Sequence, residues 1–115
     1  MNTSIIENTS DIGLELPLLG LGDDFPENIY ILKDKNKDRY ACYHLTNQGV
    51  YGLMCFEHNH NAVSAKKDFQ QNEDILEITQ TTFDEAREIA KGRPLPVTCL
   101  ILMDNIVNPK IHFVK

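Results

Sequence analysis

The sequence lacks the features that mark several common classes of protein. No apolar run approaches the roughly 20 residues that a helix needs to span a bilayer, which argues against a transmembrane protein. Residues 1–4 contain no Lys or Arg and no unbroken apolar stretch follows, so we do not expect a secretory signal. There is no Gly-x-Ser-x-Gly motif and no glycine-rich phosphate loop. With no recognisable catalytic motif, we predict a non-enzymatic protein.

Basic residues are missing from the N-terminal part of the chain. Residues 1–28 contain six Asp or Glu and no Lys or Arg, whereas the remaining residues contain 11 acids and 11 bases. The net charge of −6 therefore belongs to the N-terminal segment. Neither part shows the clustered positive charge of a phosphate-binding surface, so we expect neither nucleic acid nor a membrane as a partner.

Cysteine is scarce, and its pattern does not indicate disulfides. Cys42, Cys55 and Cys99 cannot all pair within one chain, and no Cys-x-x-Cys motif occurs. An odd number of cysteines without a secretory signal is typical of a reducing compartment, where free cysteine is usually a small buried hydrophobic residue. We therefore predict a cytoplasmic protein and no cofactor.

The residues that are present fit one domain preceded by an arm. The chain has 115 residues, of which 42% are hydrophobic, enough for one core. We predict an acidic extended N-terminal arm over residues 1–28 and a single domain over residues 29–115. Apolar residues occupy every second position from Ile12 to Leu18, which indicates an extended segment. Pro17 restricts that segment to a sheet edge or a packed strap.

The domain alternates short strand patterns with two helix patterns. The run from Val97 to Met103 is the most apolar, and it predicts a central strand buried on both faces. Thr82 and Glu85 have the spacing of a capping box, and Asn59 or Asn61 can cap the other helix. The remaining patterns predict strands at 29–32, 39–46, 50–56, 75–78 and 111–114. We predict an α+β fold, with a mostly antiparallel sheet of about five to six strands and two helices on one face.

One group of side chains could bind Zn²⁺ or Cu⁺. Its members are Cys42, His44, Cys55, His58 and His60. A bulged turn with left-handed Gly49 pairs Thr46 with Val50 and places Cys42 and Cys55 on opposite faces of the hairpin, whereas a four-residue loop places them on one face. The turn residues favour the first register, and we predict no metal site. A metal- or redox-responsive protein and a small enzyme with a pocket between sheet and helices remain the alternatives.

Aromatic and leucine side chains mark the surfaces most suited to a protein partner or self-association. In the favoured register Tyr43 and Tyr51 share a face of the hairpin and Tyr40 lies on the other. The same residues also fit an ordinary core and sheet surface. The predicted protein-binding residues are Leu14, Leu16, Leu18, Asp23 and Asp24 in the arm and Tyr40, Tyr43 and Tyr51 in the hairpin.

Three segments resemble a known family. They are IYILKD at 29–34, the hairpin ending in GLMCF at 52–56 with the helix after it, and TFDEAREIAKGRPLPVTCLILMDN at 82–105. Together they are similar to the N-terminal domain of SseB-type (enhanced serine sensitivity) proteins and to similar small bacterial and cyanobacterial domains of unknown function. The resemblance implies a bacterial, non-enzymatic protein-binding or regulatory role, and it brings no catalytic residues with it.

Overall fold

The computed structural model describes residues 25–115. The predictions for arm residues Leu14, Leu16, Leu18, Asp23 and Asp24 lie outside the described residues. The elements follow in the order β1 (Asn28–Asp34), β2 (Cys42–Leu45), β3 (Val50–Cys55), α1 (Asn59–Lys67), β4 (Leu76–Thr82), α2 (Phe83–Gly92), β5 (Cys99–Leu102) and β6 (Lys110–Phe113). The predicted α+β class is confirmed. Within the described part of the chain, neither helix is long and apolar enough to cross a membrane.

The strands form two joined sheets. One pairs β1 with β4 antiparallel, and the other has the order β2-β3-β5-β6. Strands β3 and β5 are parallel, because the chain returns from the end of β3 through α1, β4 and α2 before β5 begins. The two sheets meet where Tyr30 and Phe56 exchange backbone hydrogen bonds of 2.8 and 2.9 Å. The predominance of antiparallel pairs is as predicted, whereas the division of the strands into two sheets and the parallel pair were not foreseen.

The hairpin of β2 and β3 adopts the register that was not favoured. Leu45 pairs with Val50 and Cys42 pairs with Leu53, so residues 46–49 form a four-residue loop. Gly49 has the predicted left-handed conformation, with a φ of 65°, but its N–H donates to the carbonyl of Thr46. Thr46 is thereby part of the turn and not of the ladder. The prediction that Cys42 and Cys55 lie on opposite faces is wrong, because this one-residue shift moves every side chain of β2 to the other face.

Successive side chains of β3 enter two separate hydrophobic clusters. We call the side of Leu53 and Cys55 the closed face; it packs against Ala86 and Ala90 of α2. We call the side of Met54 and Phe56 the open face; it packs against Ala62 of α1. The two helices therefore cover different faces of β3, where the sequence patterns suggested one shared face.

Strand β5 is central and buried at all four positions, as predicted. Its close approach to β3 depends on Gly52, which pairs with Cys99. A Cβ atom at position 52 would lie 2.6 Å from Sγ and 2.8 Å from the carbonyl oxygen of Cys99. Because the carbonyl belongs to the backbone of the central strand, this position accommodates only glycine without displacement.

The charged turn after β1 contains one buried carboxylate. Asp34 accepts hydrogen bonds from Arg39 Nε at 2.6 Å and from the backbone N–H groups of Asn36 and Lys37 at 2.8 and 3.2 Å. The hydrogen bond from Arg39, followed by that from Asn36, lowers the pKa of Asp34. The turn is therefore organised around Asp34, while its neighbours remain exposed.

Candidate functional site

Helix α1 takes its N-terminal cap from a distant part of the chain. Its N-cap residue, His58, makes no capping hydrogen bond with its side chain. Instead the Asp104 carboxylate accepts hydrogen bonds from the N–H groups of Glu57 at 2.6 Å and His58 at 3.1 Å, and from Asn61 Nδ2 at 2.7 Å. The prediction that Asn59 or Asn61 caps this helix is wrong, because both lie inside it.

The Asp104 contacts fix the position of the loop between β5 and β6, residues 103–109. A carboxylate at a helix N-terminus is stabilised both by charge-assisted hydrogen bonds and by the helix dipole. Because the loop is tied to the start of α1, it stands beside the open face of β3. This arrangement leaves a space between the loop, the helix and the hairpin.

That space is a cleft of about 540 Å³, which we call the α1 cleft. It lies on the open face, and its walls are the hairpin, α1 and the loop 103–109. The residues that line it are Cys42, Tyr43, Met54, Phe56, Asn61, Ser64, Ala65, Asp68, Phe69, Met103, Asp104 and Ile106. Most of these are apolar, and two are methionines, whose flexible side chains adapt to differently shaped partners.

The rim of the α1 cleft exposes aliphatic side chains. Ile106 is 51% exposed and its neighbour Val107 is 92% exposed. Ile106 and Tyr43 also line an adjoining depression, together with Val107, and the exposed surface of that depression is mostly polar. Single exposed aliphatic residues are common, but neighbouring ones beside an apolar cleft are typical of a binding surface. The sequence signal for this surface is an apolar pair, Ile106-Val107, inside a turn of polar residues, and the sequence analysis missed it.

The predicted hairpin tyrosines lie in three different environments. Tyr43 lines the α1 cleft. Tyr40 packs on the closed face, where the guanidinium of Arg93 lies 5.3 Å from its ring. Tyr51 pairs with His44 at a ring separation of 5.5 Å. The prediction that Tyr43 and Tyr51 share a face is wrong, for the same one-residue difference in register that affects the cysteines.

The candidate metal ligands do not converge on one point. Cys42, His44 and Cys55 do share a face, but Cys55 is fully buried and His44 is exposed. His58 and His60 stack on each other at 5.6 Å near the start of α1, and both are exposed. Across residues 25–115, no three His, Cys, Asp or Glu side chains are grouped so that they could hold a metal ion.

The three thiols are free, and burial holds them in the protonated form. Burial raises the pKa of Cys42, although the positive charge of Arg93 opposes this rise. Burial also raises the pKa of Cys99, to about 11, and raises that of Cys55 further. A thiol reacts as its thiolate, so these cysteines are poor nucleophiles near neutral pH.

Two polar residues of the α1 cleft, Asn61 and Asp104, support the structure. Asn61 and Asp104 bond to each other, and Asp104 also holds the start of the helix. Ser64 has no His or Lys beside it among the described residues of the lining that could act as its base. The arrangement is therefore suited to binding an apolar group. Comparison of the chain with family models, with curated proteins and with solved structures finds no match.

Proposed function

We propose that this chain is a non-enzymatic protein-interaction or regulatory module that binds a partner protein in the α1 cleft. The supporting observation is the combination of an open cleft of about 540 Å³ with the exposed aliphatic rim of Ile106 and Val107. Tyr, Phe and Met, which contribute to this cleft, are enriched at protein interfaces. The resemblance to SseB-type domains and the position of predicted residue Tyr43 in the cleft agree with the same proposal.

The bacterial cytoplasm is part of the proposal. The free cysteines Cys42, Cys55 and Cys99 support a reducing compartment, because disulfides dominate in oxidising ones. The volume of the cleft also falls within the range of about 300–1,000 Å³ found for small-molecule sites. Binding of a protein segment is favoured because the cleft is open and its rim exposes the aliphatic side chains of Ile106 and Val107.

The test is a selection of random phage-displayed peptides on the full-length chain. Ile106→Asp places a charge on the rim of the cleft, and we expect it to lower the affinity for the selected peptides at least about tenfold. The matched control is Leu95→Asp, the same kind of change at an aliphatic residue that is 74% exposed and does not line the cleft. We expect this control to bind like the wild type.

Two results contradict the proposal: selection that yields no binder, and binders for which Ile106→Asp and Leu95→Asp have equal affinity. Both variants change exposed residues, so they should retain the wild-type melting temperature, which circular dichroism checks.

A further inference from the structure

We infer that the partner segment of the α1 cleft carries apolar side chains and beside them a basic residue, with arginine preferred, that pairs with Asp68. This inference rests on the proposed function and adds the chemistry of the partner. It depends on the charges that line the cleft and on the position of Asp68 at the C-terminal end of α1.

The charged residues that line the cleft are all acidic. Among the described lining residues there are two carboxylates, Asp68 and Asp104, and no Lys or Arg. The Asp104 oxygens already accept three hydrogen bonds from the start of α1. The Asp68 carboxylate, in contrast, makes no ion pair or hydrogen bond within residues 25–115. Asp68 is therefore the group available to a cation.

Helix stability does not explain the presence of Asp68. Asp68 is the C-cap residue of α1, where the helix dipole places partial negative charge. A carboxylate is unfavourable at this end of a helix, and cationic side chains are preferred there. Lys66 and Lys67 in the last turn meet that preference, but neither lines the cleft. Asp68 is therefore the charged residue that this end of the helix contributes to the lining of the cleft.

The residue after Asp68 favours a guanidinium over an ammonium group. Phe69 lines the same end of the cleft and is only partly buried, so part of its ring is accessible. A guanidinium group stacks on an aromatic ring and also donates paired hydrogen bonds to a carboxylate, whereas lysine acts as a point charge. An arginine can therefore contact Phe69 and Asp68 together.

Charge also argues against the chain itself as the occupant. Residues 1–24 contain five acids and no base, and a second copy of the whole chain carries a net charge of −6. Either would bring negative charge to a negative cleft. The occupant that fits is a basic, apolar segment of a different protein.

The experiment uses peptides selected on the full-length chain and measures their affinity for Asp68→Asn and Asp68→Lys. We expect the selected peptides to contain Arg or Lys beside apolar residues. We also expect Asp68→Asn to lower the affinity for these peptides at least about tenfold. Asp68→Lys should lower the affinity further, and replacing the peptide arginine by glutamate should restore part of the affinity for this variant. Asp74→Asn and Asp74→Lys are the matched controls, because Asp74 is an exposed acid that does not line the cleft.

The possible failures are distinguishable. Peptides that need Ile106 but show no basic preference, and that bind Asp68→Asn like the wild type, overturn this inference and leave the proposed function standing. If the peptides bind Ile106→Asp as tightly as the wild type, or if no binder is selected, both this inference and the proposed function are overturned. Equal losses for the Asp68 and Asp74 variants would reveal a long-range effect of net charge, and this result also overturns the inference.

Discussion

The two faces of strand β3 differ in how completely they are covered. On the closed face, Leu53 and Leu100 are fully buried among aliphatic side chains beneath α2. On the open face, Met54 and Phe56 are buried, but the aromatic residues around them, Tyr43 and Phe69, are only partly covered. The α1 cleft lies on this second face. One strand thus contributes to a cluster that a helix covers and to an apolar surface that a cleft leaves accessible.

The two covering helices are anchored in correspondingly different ways. Helix α2 buries Ala86 and Ala90 and begins at its own cap, Thr82. Helix α1 buries only Ala62 among its residues and begins at a cap supplied by Asp104. A short helix gains most of its stability from tertiary packing, so α1 depends on the contacts of the loop 103–109. The comparison indicates that stability resides mainly on the closed face and that the open face is available for binding.

The largest expected effect is a truncation on the closed face. Leu100→Ala removes a fully buried side chain beneath α2, and we expect the free energy of unfolding to fall by about 2–5 kcal/mol. A truncation on the rim of the α1 cleft, Ile106→Ala, changes a half-exposed side chain and should alter the free energy of unfolding by less than about 0.5 kcal/mol. Urea denaturation at neutral pH measures both. Similar losses for the two variants would remove the distinction between the faces.

The next effect concerns the distant cap of α1. Asp104→Asn places an amide NH₂ near the N–H donors of Glu57 and His58, and we expect a loss of about 1–2 kcal/mol in the free energy of unfolding. The control Asp74→Asn neutralises an exposed acid away from these donors, and should cost less than about 0.5 kcal/mol. If both variants unfold at the same urea concentration, Asp104 does not anchor the helix.

A smaller loss is expected at the local cap of α2. The Thr82 hydroxyl accepts a hydrogen bond from the N–H of Glu85 at 3.1 Å, and Thr82→Ala should lower the free energy of unfolding by about 1 kcal/mol. Thr82→Ser keeps the oxygen and should recover most of this loss. Thermal unfolding followed by circular dichroism distinguishes the variants. A serine variant as unstable as the alanine variant would show that the methyl group, and not the cap, is responsible.

The last prediction concerns the reactivity of the thiols and not the stability of the fold. The pKa of Cys99 is raised to about 11, because burial favours the uncharged form, so near pH 8 only about one thiol in a thousand is ionised. As pH rises toward that pKa, the thiolate fraction and the labelling rate should both increase. Near pH 8 we expect Cys55 and Cys99 of the native chain to react with a maleimide at less than about one hundredth of the rate in concentrated guanidinium chloride. Mass spectrometry of the labelled peptides identifies the sites, and rapid native labelling of Cys99 would favour the redox alternative.

Local patterns predicted those parts of the fold that depend on neighbouring residues. The N-cap at Thr82, the central strand within 97–103 and the left-handed Gly49 are confirmed. The second half of the predicted capping box is not formed, because the Glu85 carboxylate accepts a hydrogen bond from the hydroxyl of Thr81. The hairpin register was missed because Gly49 fits a three-residue or a four-residue loop equally well. Contacts outside the turn agree with the observed register: the N–H of Ala41 donates to Leu32 of β1 at 2.9 Å, and the Ala41 side chain lies in the open-face cluster.

The sequence by itself determined the α+β class, the helix from Phe83 to Gly92, the buried central strand and the acidic character of residues 1–28. Only the tertiary structure decided which side chains face each helix, where α1 begins and where the cleft lies. The reason is the range of the interactions. The N-cap bond of Thr82 acts over three residues, whereas Asp104 reaches the N–H groups of Glu57 and His58, just before α1, across 47 and 46 positions of the chain. No local pattern encodes a contact of that separation, and the α1 cleft exists because of it.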